Sequence, residues 1–299
     1  MKRMNLDPGV GQGSVQEKEQ LIRDLMQDRD FAAVMKAAGV PQDEYTRHPY
    51  RLEMIRQNSM ACRNCQGLSS CRQKQTGYRE MPVYDGVLDS SLQPCRYLQD
   101  KQKKEAHLAG YLVNDLNPSM YQLSFAKIEL NGEDTKYLSI LGTVVESYKA
   151  GQGIFLYGPM GTGKTYLAAC AANEYAGDRG RCAFVHVPSF SARIQAAYRN
   201  GEHHGEIEYL QYADFVVFDD IGAEDITSRY LNLLLTVLDR RMQENKMTWF
   251  TSNEDFRSLE NHYSVTSSGE DKMMAKRILE RIRVLSRPVY MDGKNRRSF

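Results

Sequence analysis

The sequence has no long apolar run, and this absence limits what the chain can be. None of its 299 residues lies in a run that approaches the roughly 18 apolar residues required to span a membrane. The N-terminal residues also lack the apolar stretch of a secretory signal. We therefore expect a cytoplasmic protein with no membrane partner, and the length favours two domains.

Neither net charge nor repetition points to a function. The net charge of +1 argues neither for nor against nucleic acid as a partner, although the end of the chain, KNRR at 294–297, is basic. No internal repeat is visible. With 41% hydrophobic and 26% charged residues, the composition is that of a soluble globular protein.

Cysteine is scarce and unevenly distributed. Four of the six cysteines lie between Cys62 and Cys95, and clustered thiols in a reducing cytosol bind metal more often than they form disulfides. The Cys62-x2-Cys65 element suits one corner of a tetrahedral Zn²⁺ site, which Cys71 and Cys95 can complete. Such a closed site predicts a structural metal rather than a catalytic one. The alternative is a set of buried or incidental cysteines.

A β-hairpin is predicted inside the cysteine segment. Asp85-Gly86 lies between two short apolar stretches, which is a strong hairpin signal. The hairpin would bring Cys95 back to the other three cysteines. His48 and His107 flank the cluster and can replace a cysteine as a ligand, although each is more simply an ordinary surface histidine.

The most specific motif is GPMGTGKT at residues 158–165, which fits the pattern G-x-x-x-x-G-K-[ST]. It follows an apolar stretch that predicts a strand (153–157) and precedes a stretch of helix formers (166–172). This order places backbone N–H groups and a positive helix end around a polyphosphate. Lys164 would reach the terminal phosphates of ATP, and the Thr165 hydroxyl would bind Mg²⁺. The predicted nucleotide-binding residues are Gly158, Pro159, Gly161, Thr162, Gly163, Lys164 and Thr165.

Two further strand ends carry polar groups that suit phosphoryl chemistry. An apolar strand at 215–218 ends in Asp219, which would hold Mg²⁺ through water, and Asp220, which would position or deprotonate the attacking water. The next strand closes with Asn253, whose amide can lie beside the γ-phosphate. Each taken alone also fits an ordinary polar strand-to-loop turn.

Arg277 and Arg281 lie four residues apart on a predicted helix and therefore share one face. A solvated basic face is the simple interpretation. The alternative is an arginine that reaches the γ-phosphate bound by a neighbouring subunit.

The order of these motifs resembles the AAA+ ATPases, and more narrowly the bacterial replicative helicase loaders of the DnaC/DnaI family. The resemblance covers about residues 122–290. It implies that Asn253 is the sensor 1 residue and that Arg281 is an arginine finger, with Lys164, Asp219 and Asp220 as the other catalytic residues. Many AAA+ members carry Asp-Glu where this chain has Asp219-Asp220. The shorter carboxylate favours a slow, switch-like ATPase.

The cysteine segment adds to the resemblance. DnaI-type loaders carry an N-terminal zinc-containing domain that grips the helicase, whereas DnaC-type loaders use a helical N-terminus without zinc. The chain is therefore similar to the DnaI branch. The resemblance leaves the fourth zinc ligand open between Cys71 and its alternatives.

Two aromatic-containing stretches are candidates for contact with single-stranded DNA. Tyr198 and Arg199 lie on a predicted helix between two core strands, and an aromatic ring beside a cation suits sequence-tolerant base stacking. Both this stretch and Ser228-Arg229-Tyr230 are similar to DNA-contacting stretches of helicase loaders. The alternative for either tyrosine, Tyr198 or Tyr230, is burial in the core.

The predicted fold is α/β: an AAA+ P-loop ATPase domain with a parallel sheet, preceded by a small, mainly helical zinc-binding domain. The expected divisions are a disordered 1–13, a zinc-containing helicase-interaction domain 14–115, a linker 116–121 and an ATPase domain 122–299 with a basic tail.

The expected function is ATP-dependent loading of the hexameric replicative helicase onto single-stranded DNA, with self-assembly through the AAA+ domain and other primosome proteins as further partners. The expected cofactors are ATP, Mg²⁺ and Zn²⁺. The alternatives are a transposition-helper ATPase that binds DNA and a transposase, and a non-hydrolysing adaptor switched by nucleotide.

Overall fold

The computed structural model describes residues 15–200, 205–266 and 269–296. The predicted disorder of 1–13 lies outside these residues. The chain divides into two compact units between Lys103 and Lys104. Among the described residues, no helix is both long and apolar enough to cross a membrane.

The first unit consists of helices followed by a β-hairpin. A single core holds them together, in which Leu25, Phe31, Leu52 and Leu88 are almost fully buried. The predicted hairpin is confirmed, with a turn around Asp85-Gly86. The elements are α1 (Val15–Gln27), α2 (Arg29–Ala37), α3 (Glu44–Arg47), α4 (Pro49–Met60), β1 (Tyr78–Tyr84), β2 (Leu88–Pro94) and α5 (Arg96–Glu105), which runs across the division.

The second unit is built on a six-stranded sheet in which every neighbouring pair of strands is parallel. The strand order is β10-β4-β7-β6-β5-β3. Its strands are β3 (Tyr111–Asn114), β4 (Ile154–Tyr157), β5 (Cys182–His186), β6 (Phe215–Asp219), β7 (Met247–Ser252) and β10 (Arg287–Tyr290). A short antiparallel pair, β8 (Val265–Thr266) and β9 (Gly269–Glu270), lies outside the sheet.

Helices cover both faces of the sheet, since the residues of its central strands are buried on both faces. In β6, Phe215 and Val217 point into one core, while Val216 and Phe218 point into the other. A parallel α/β fold is therefore confirmed. The helices are α6 (Thr135–Lys149), α7 (Lys164–Asp178), α8 (Val187–Asn200), α9 (Gly205–Tyr212), α10 (Ser228–Gln243), α11 (Phe256–Ser264) and α12 (Lys272–Leu285).

The boundary between the units differs from the expected linker at 116–121. β3 pairs with β5 at the edge of the sheet, and Leu116 is buried in a core of the second unit. The 3-10 helix Ala106–Gly110 packs on α7. Residues 104–121 therefore belong to the second unit, because their partners are non-local strands and helices that the local sequence does not reveal.

Arg241 holds together the end of the sheet that lies opposite the glycine loop between β4 and α7. Its side chain is fully buried on α10, and burial lowers the pKa of the guanidinium to about 9, so the group stays charged at neutral pH. It donates to the Thr248 hydroxyl (2.9 Å) and to the carbonyls of Leu210 (2.7 Å), Ala213 (2.8 Å) and Met247 (2.7 Å). These bonds fix the start of β7 against α9 and α10.

Candidate nucleotide-binding site

The parallel register brings the polar strand ends to one edge of the sheet. Tyr157 at the end of β4 is level with Ser252 at the end of β7, and His186 at the end of β5 is level with Asp219 at the end of β6. The residues that follow these ends therefore surround one space, as in other open parallel sheets.

The glycine loop joins β4 to α7 as predicted. Gly163 precedes the first residue of α7 with a φ of +102°, a conformation that glycine adopts without a steric cost. The first helical residues are Lys164 and Thr165, so the free N–H groups of the helix face the loop. This end of a helix attracts anions.

Lys164 is held in place by oxygen atoms of the loop and of β7's extension. Its side chain is buried, and Nζ donates to the carbonyls of Gly158 (2.7 Å) and Pro159 (2.8 Å) and to Oδ1 of Asn253 (3.0 Å). The ammonium group is therefore positioned at the mouth of the loop, next to the sensor candidate Asn253.

Asp219 and Thr165 form a donor set that fits Mg²⁺. The Thr251 hydroxyl donates to Asp219 Oδ1 (2.6 Å), and Thr165 also bonds the carboxylate. Burial raises the pKa of Asp219, and the bonds from Thr251 and Thr165 oppose this shift. A carboxylate and a hydroxyl are hard oxygen ligands of the kind that Mg²⁺ takes, so the residues present fit this ion.

Asp220 is held in a left-handed backbone conformation, with a φ of +59°. Its N–H donates to the Thr251 hydroxyl (2.9 Å), and its Oδ1 accepts from Nδ2 of Asn253 (2.9 Å). Non-glycine residues in this region are uncommon, although Asp tolerates it better than most, and they cluster at functional sites. Asn253 therefore connects the ammonium of Lys164 to the carboxylate of Asp220.

These groups line a cavity of about 760 Å³, within the usual range for small-molecule sites. The cavity includes Gly161, Gly163, Lys164, Thr165, Asp219, Asp220 and Asn253. It also includes Glu133, Tyr137, His186 and Arg296, which the sequence did not single out. The sequence signal that could have pointed to Arg296 is the basic run at 294–297. This run follows β10, which pairs with β4 and so brings it beside the glycine loop.

The two arginines of α12 lie away from this cavity. Arg281 is half-buried and its Nε donates to Asp239 Oδ1 of α10 (2.7 Å), while Nη1 pairs with Glu280 (3.0 Å). These contacts raise the pKa of Arg281, with the hydrogen bond to Asp239 as the main cause. Arg277 is exposed. Neither arginine lines the cavity of its own chain.

The expected DNA contact of Tyr230 is wrong for this structure. Tyr230 is fully buried at the start of α10, and its hydroxyl donates to the buried carboxylate of Glu224 (3.1 Å), which also accepts from Tyr263 (2.9 Å). The Tyr230 ring is therefore part of the core, and its hydroxyl holds Glu224 of the loop that follows Asp220. Ser228, at the first turn of α10, is half-buried. Tyr198 and Arg199 lie near the end of α8, and their side chains fall outside the described residues.

In the first unit, the cysteines Cys62, Cys65, Cys71 and Cys95 line one cavity of about 430 Å³. The hairpin brings Cys95 to this place, and the Cys95 N–H donates to the carbonyl of Gly77 (2.7 Å). As placed, they do not form a metal centre: within the described ranges, no group of three or more His, Cys, Asp or Glu residues is arranged to hold a metal ion.

Nearby groups donate hydrogen bonds to two of these sulfurs. The Gly77 N–H points at Cys71 Sγ (3.4 Å) and Nε2 of Gln73 points at Cys62 Sγ (3.2 Å). The backbone bonds from Gly77 and Gln73 lower the pKa of the Cys71 thiol. All four cysteines are only partly buried.

Comparison with known proteins agrees with this geometry. Residues 102–298 match the family model described as IstB-like ATP binding protein. The replicative helicase loader DnaI of Bacillus subtilis is 28% identical over 294 residues, which cover 93% of each chain. A protein from insertion sequence IS21 of Pseudomonas aeruginosa, described as ATP-binding, is 24% identical and covers 49% of this chain and 52% of its own length.

Two solved structures are similar in fold to somewhat less than two thirds, or about two thirds, of this chain. The crystal structure of DnaI has 27% sequence identity and a TM-score of 0.53, covering 61% of this chain and 97% of that one. A protein from Streptococcus pyogenes described as a primosome component has 29% identity and a TM-score of 0.52, covering 66% and 100%. The chain thus belongs to the family of IstB-like ATP-binding proteins and is similar over nearly its whole length to a replicative helicase loader.

Proposed function

We propose that the protein is an ATP-regulated loader of the hexameric replicative helicase onto single-stranded DNA. The observation that carries this proposal is the extent of the similarity to DnaI, which covers 93% of both chains and so includes the cysteine-containing unit as well as the ATPase. The family match alone extends only over residues 102–298 and supports ATP binding.

The arrangement at the sheet edge suits slow hydrolysis. Lys164 would bind the terminal phosphates, and Thr165 and Asp219 would hold Mg²⁺, which supplies charge neutralisation for phosphoryl transfer. Asp220 would orient the attacking water, because Asn253 already fixes its carboxylate and Asn253 also contacts Lys164. ATP binding could then act as a switch, with hydrolysis resetting the assembly.

Two other functions are alternatives to helicase loading. The IS21 relative favours a transposition-helper ATPase, but its match covers only 49% of this chain. A non-hydrolysing adaptor would bind nucleotide and release no phosphate. Asn253 accepts from Lys164 and donates to Asp220, and this link between the phosphate-binding lysine and the residue that would orient the water supports hydrolysis.

The first prediction concerns hydrolysis. Asp220→Asn keeps the size and tolerates the backbone conformation, so ATP affinity should stay within about twofold, while phosphate release should fall about a hundredfold because the water loses its base. Lys164→Ala should instead weaken ATP binding itself. The control is Asp225→Asn, an exposed position in the same loop.

Phosphate release and calorimetric ATP binding are measured side by side. Wild-type turnover by Asp220→Asn would remove Asp220 from the mechanism. Release by the wild-type protein at no more than the protein-free rate would favour the non-hydrolysing adaptor.

The second prediction concerns the arginine finger. If Arg281 acts on the nucleotide of a neighbouring subunit, Arg281→Ala and Asp220→Asn should each be inactive alone and recover turnover when mixed, because some interfaces then pair an intact site with an intact finger. Arg277→Ala is the matched control on the same helix. A mixture as inactive as its parts would assign Arg281 a structural role through Asp239.

The third prediction concerns zinc and the helicase. We propose that Cys62, Cys65, Cys71 and Cys95 hold one structural Zn²⁺, since all four line one cavity and two sulfurs already accept hydrogen bonds. Elemental analysis of the full chain should find about one zinc per chain. The double variant Cys62→Ser with Cys65→Ser should lose it, whereas Cys170→Ala, in the buried core of α7, should not.

Native mass spectrometry of the full chain with the cognate hexameric helicase, with and without a zinc chelator, then tests the partner. A complex that dissociates when the chelator is added supports a helicase-binding unit whose fold depends on zinc. A stable complex with a metal-free protein would contradict the zinc assignment. The lack of any complex would contradict the proposed role as a helicase loader.

The fourth prediction concerns DNA. We propose that Tyr198 and Arg199 contact single-stranded DNA and that the hydroxyl of Ser228, the first residue of α10, donates to a DNA phosphate. Tyr198→Ala should weaken binding to a labelled oligothymidylate about tenfold, from a stacking loss of about 1–3 kcal/mol, while ATP affinity persists. Tyr209→Ala, an exposed tyrosine of α9, is the control. Equal anisotropy titrations for both variants would contradict the assignment.

A further inference from the structure

After its last strand, the chain returns along the nucleotide-binding loop. We call residues 291–296 the C-terminal segment. β10 pairs with β4, the strand that leads into the loop. Beyond β10, the Met291 N–H donates to the carbonyl of Tyr157 (2.7 Å), and the Arg296 N–H donates to the carbonyl of Gly161 (2.8 Å). The first residue of the C-terminal segment is thus hydrogen-bonded to β4, and its last residue is hydrogen-bonded to the loop.

Two glycines of the loop are in close contact with this segment. A Cβ at Gly158 would lie 2.2 Å from the Met291 carbonyl oxygen, and a Cβ at Gly161 would lie 2.1 Å from Oδ1 of Asn295. Both distances are far inside van der Waals contact. These glycines therefore make room for the C-terminal segment in addition to any phosphate.

Arg296 is fixed by three kinds of contact at the edge of the nucleotide cavity. Its guanidinium lies over the ring of Tyr137 (3.7 Å to the centroid), pairs with Glu133 (2.5 Å) and donates to the carbonyl of Thr162 (3.2 Å). Lys294 shares the same carboxylate (3.3 Å). Nε of Arg296 is buried and has no hydrogen-bond partner among the described residues.

The cavity has two chemically different sets of lining residues. Lys164, Asp219, Asp220 and Asn253, which Thr251 helps to connect, form the polar set that suits phosphates and Mg²⁺. The other set contains Glu133, Tyr137 and Arg296 together with the apolar side chains Met120, Ile128 and Tyr166. A nucleoside triphosphate needs both sets, because its base and sugar require flat, partly apolar surroundings and its phosphates require cations.

We propose that Arg296 is a nucleotide-binding residue that the C-terminal segment contributes to its own chain's site, at the nucleoside end of the ATP. This inference rests on the proposed ATP binding. The nucleoside end is favoured over the phosphates because Glu133, which holds Arg296, would repel a phosphate and can accept a hydrogen bond from a ribose hydroxyl. The flat guanidinium on Tyr137 extends a surface for a purine.

One consequence is that nucleotide binding and the C-terminal segment are coupled. A nucleotide that contacts Arg296 stabilises the segment in its docked position, and an undocked segment weakens nucleotide binding. By linkage the two effects have the same magnitude.

The test is calorimetric titration of the full chain with ATP, ADP and inorganic tripolyphosphate. Arg296→Ala should lower the affinity for ATP and for ADP by about tenfold each, the loss expected for a hydrogen bond to a charged group. Tripolyphosphate, which lacks the nucleoside, should bind within about twofold of wild type. Arg296→Lys should recover only part of the loss, since it keeps the charge without the flat stacking surface. Arg287→Ala, an exposed arginine of β10, should change nothing.

Hydrogen exchange provides a second readout that does not depend on a variant's folding. In the wild-type protein, ADP should slow exchange of the Met291 and Arg296 amides. Unchanged exchange, or equal ATP affinity for wild type and Arg296→Ala, would overturn the inference. A loss for ATP alone would overturn its nucleoside assignment. A wild-type protein that binds no ATP would instead refute the proposed function.

Discussion

The polar groups that follow the strand ends of the candidate nucleotide site owe their positions to the parallel register of four neighbouring strands. β4, β7, β6 and β5 lie side by side, so their carboxyl ends reach the same edge. The pairing of Tyr157 with Ser252 sets the glycine loop against Asn253, and the pairing of His186 with Asp219 sets the acidic pair beside them. A slip of one residue in any strand would turn these side chains to the opposite face. The buried strands, with apolar residues on both faces, fix the register that the chemistry requires.

Within that frame, Thr251 and Asn253 convert strand positions into a connected network. The Thr251 hydroxyl donates to Asp219 and accepts from the Asp220 N–H, so the two acidic residues are held by one side chain. Asn253 contacts Lys164 with its carbonyl and Asp220 with its amide. If a bound phosphate draws Lys164 away from Asn253, the contact between Asn253 and Asp220 changes as well. This connection gives a physical basis for a nucleotide switch in a site whose carboxylate is short.

The sequence predicted those features whose signals are local. The glycine loop, the strand ahead of it and the hairpin at Asp85-Gly86 were found because their residue types are dictated by backbone conformation within a few positions. Tyr230 was misassigned because burial depends on Glu224 and Tyr263, partners that no local pattern reveals. β3 was missed for the same reason, since its strand partner, β5, lies far along the chain.

The position of the C-terminal segment also could not be predicted from local sequence. Its basic composition is visible in the sequence, but a run of Lys and Arg fits a solvated tail as well as a binding element. What distinguishes the two is the glycine loop itself, because Gly158 and Gly161 leave no space for a side chain on the face where Met291 and Asn295 pack. Two glycines of the motif that predicts phosphate binding are thus also required by their contacts with the C-terminal segment. Substitution at either glycine would disturb both contacts together, so loss of ATP binding there would not by itself report on phosphate recognition.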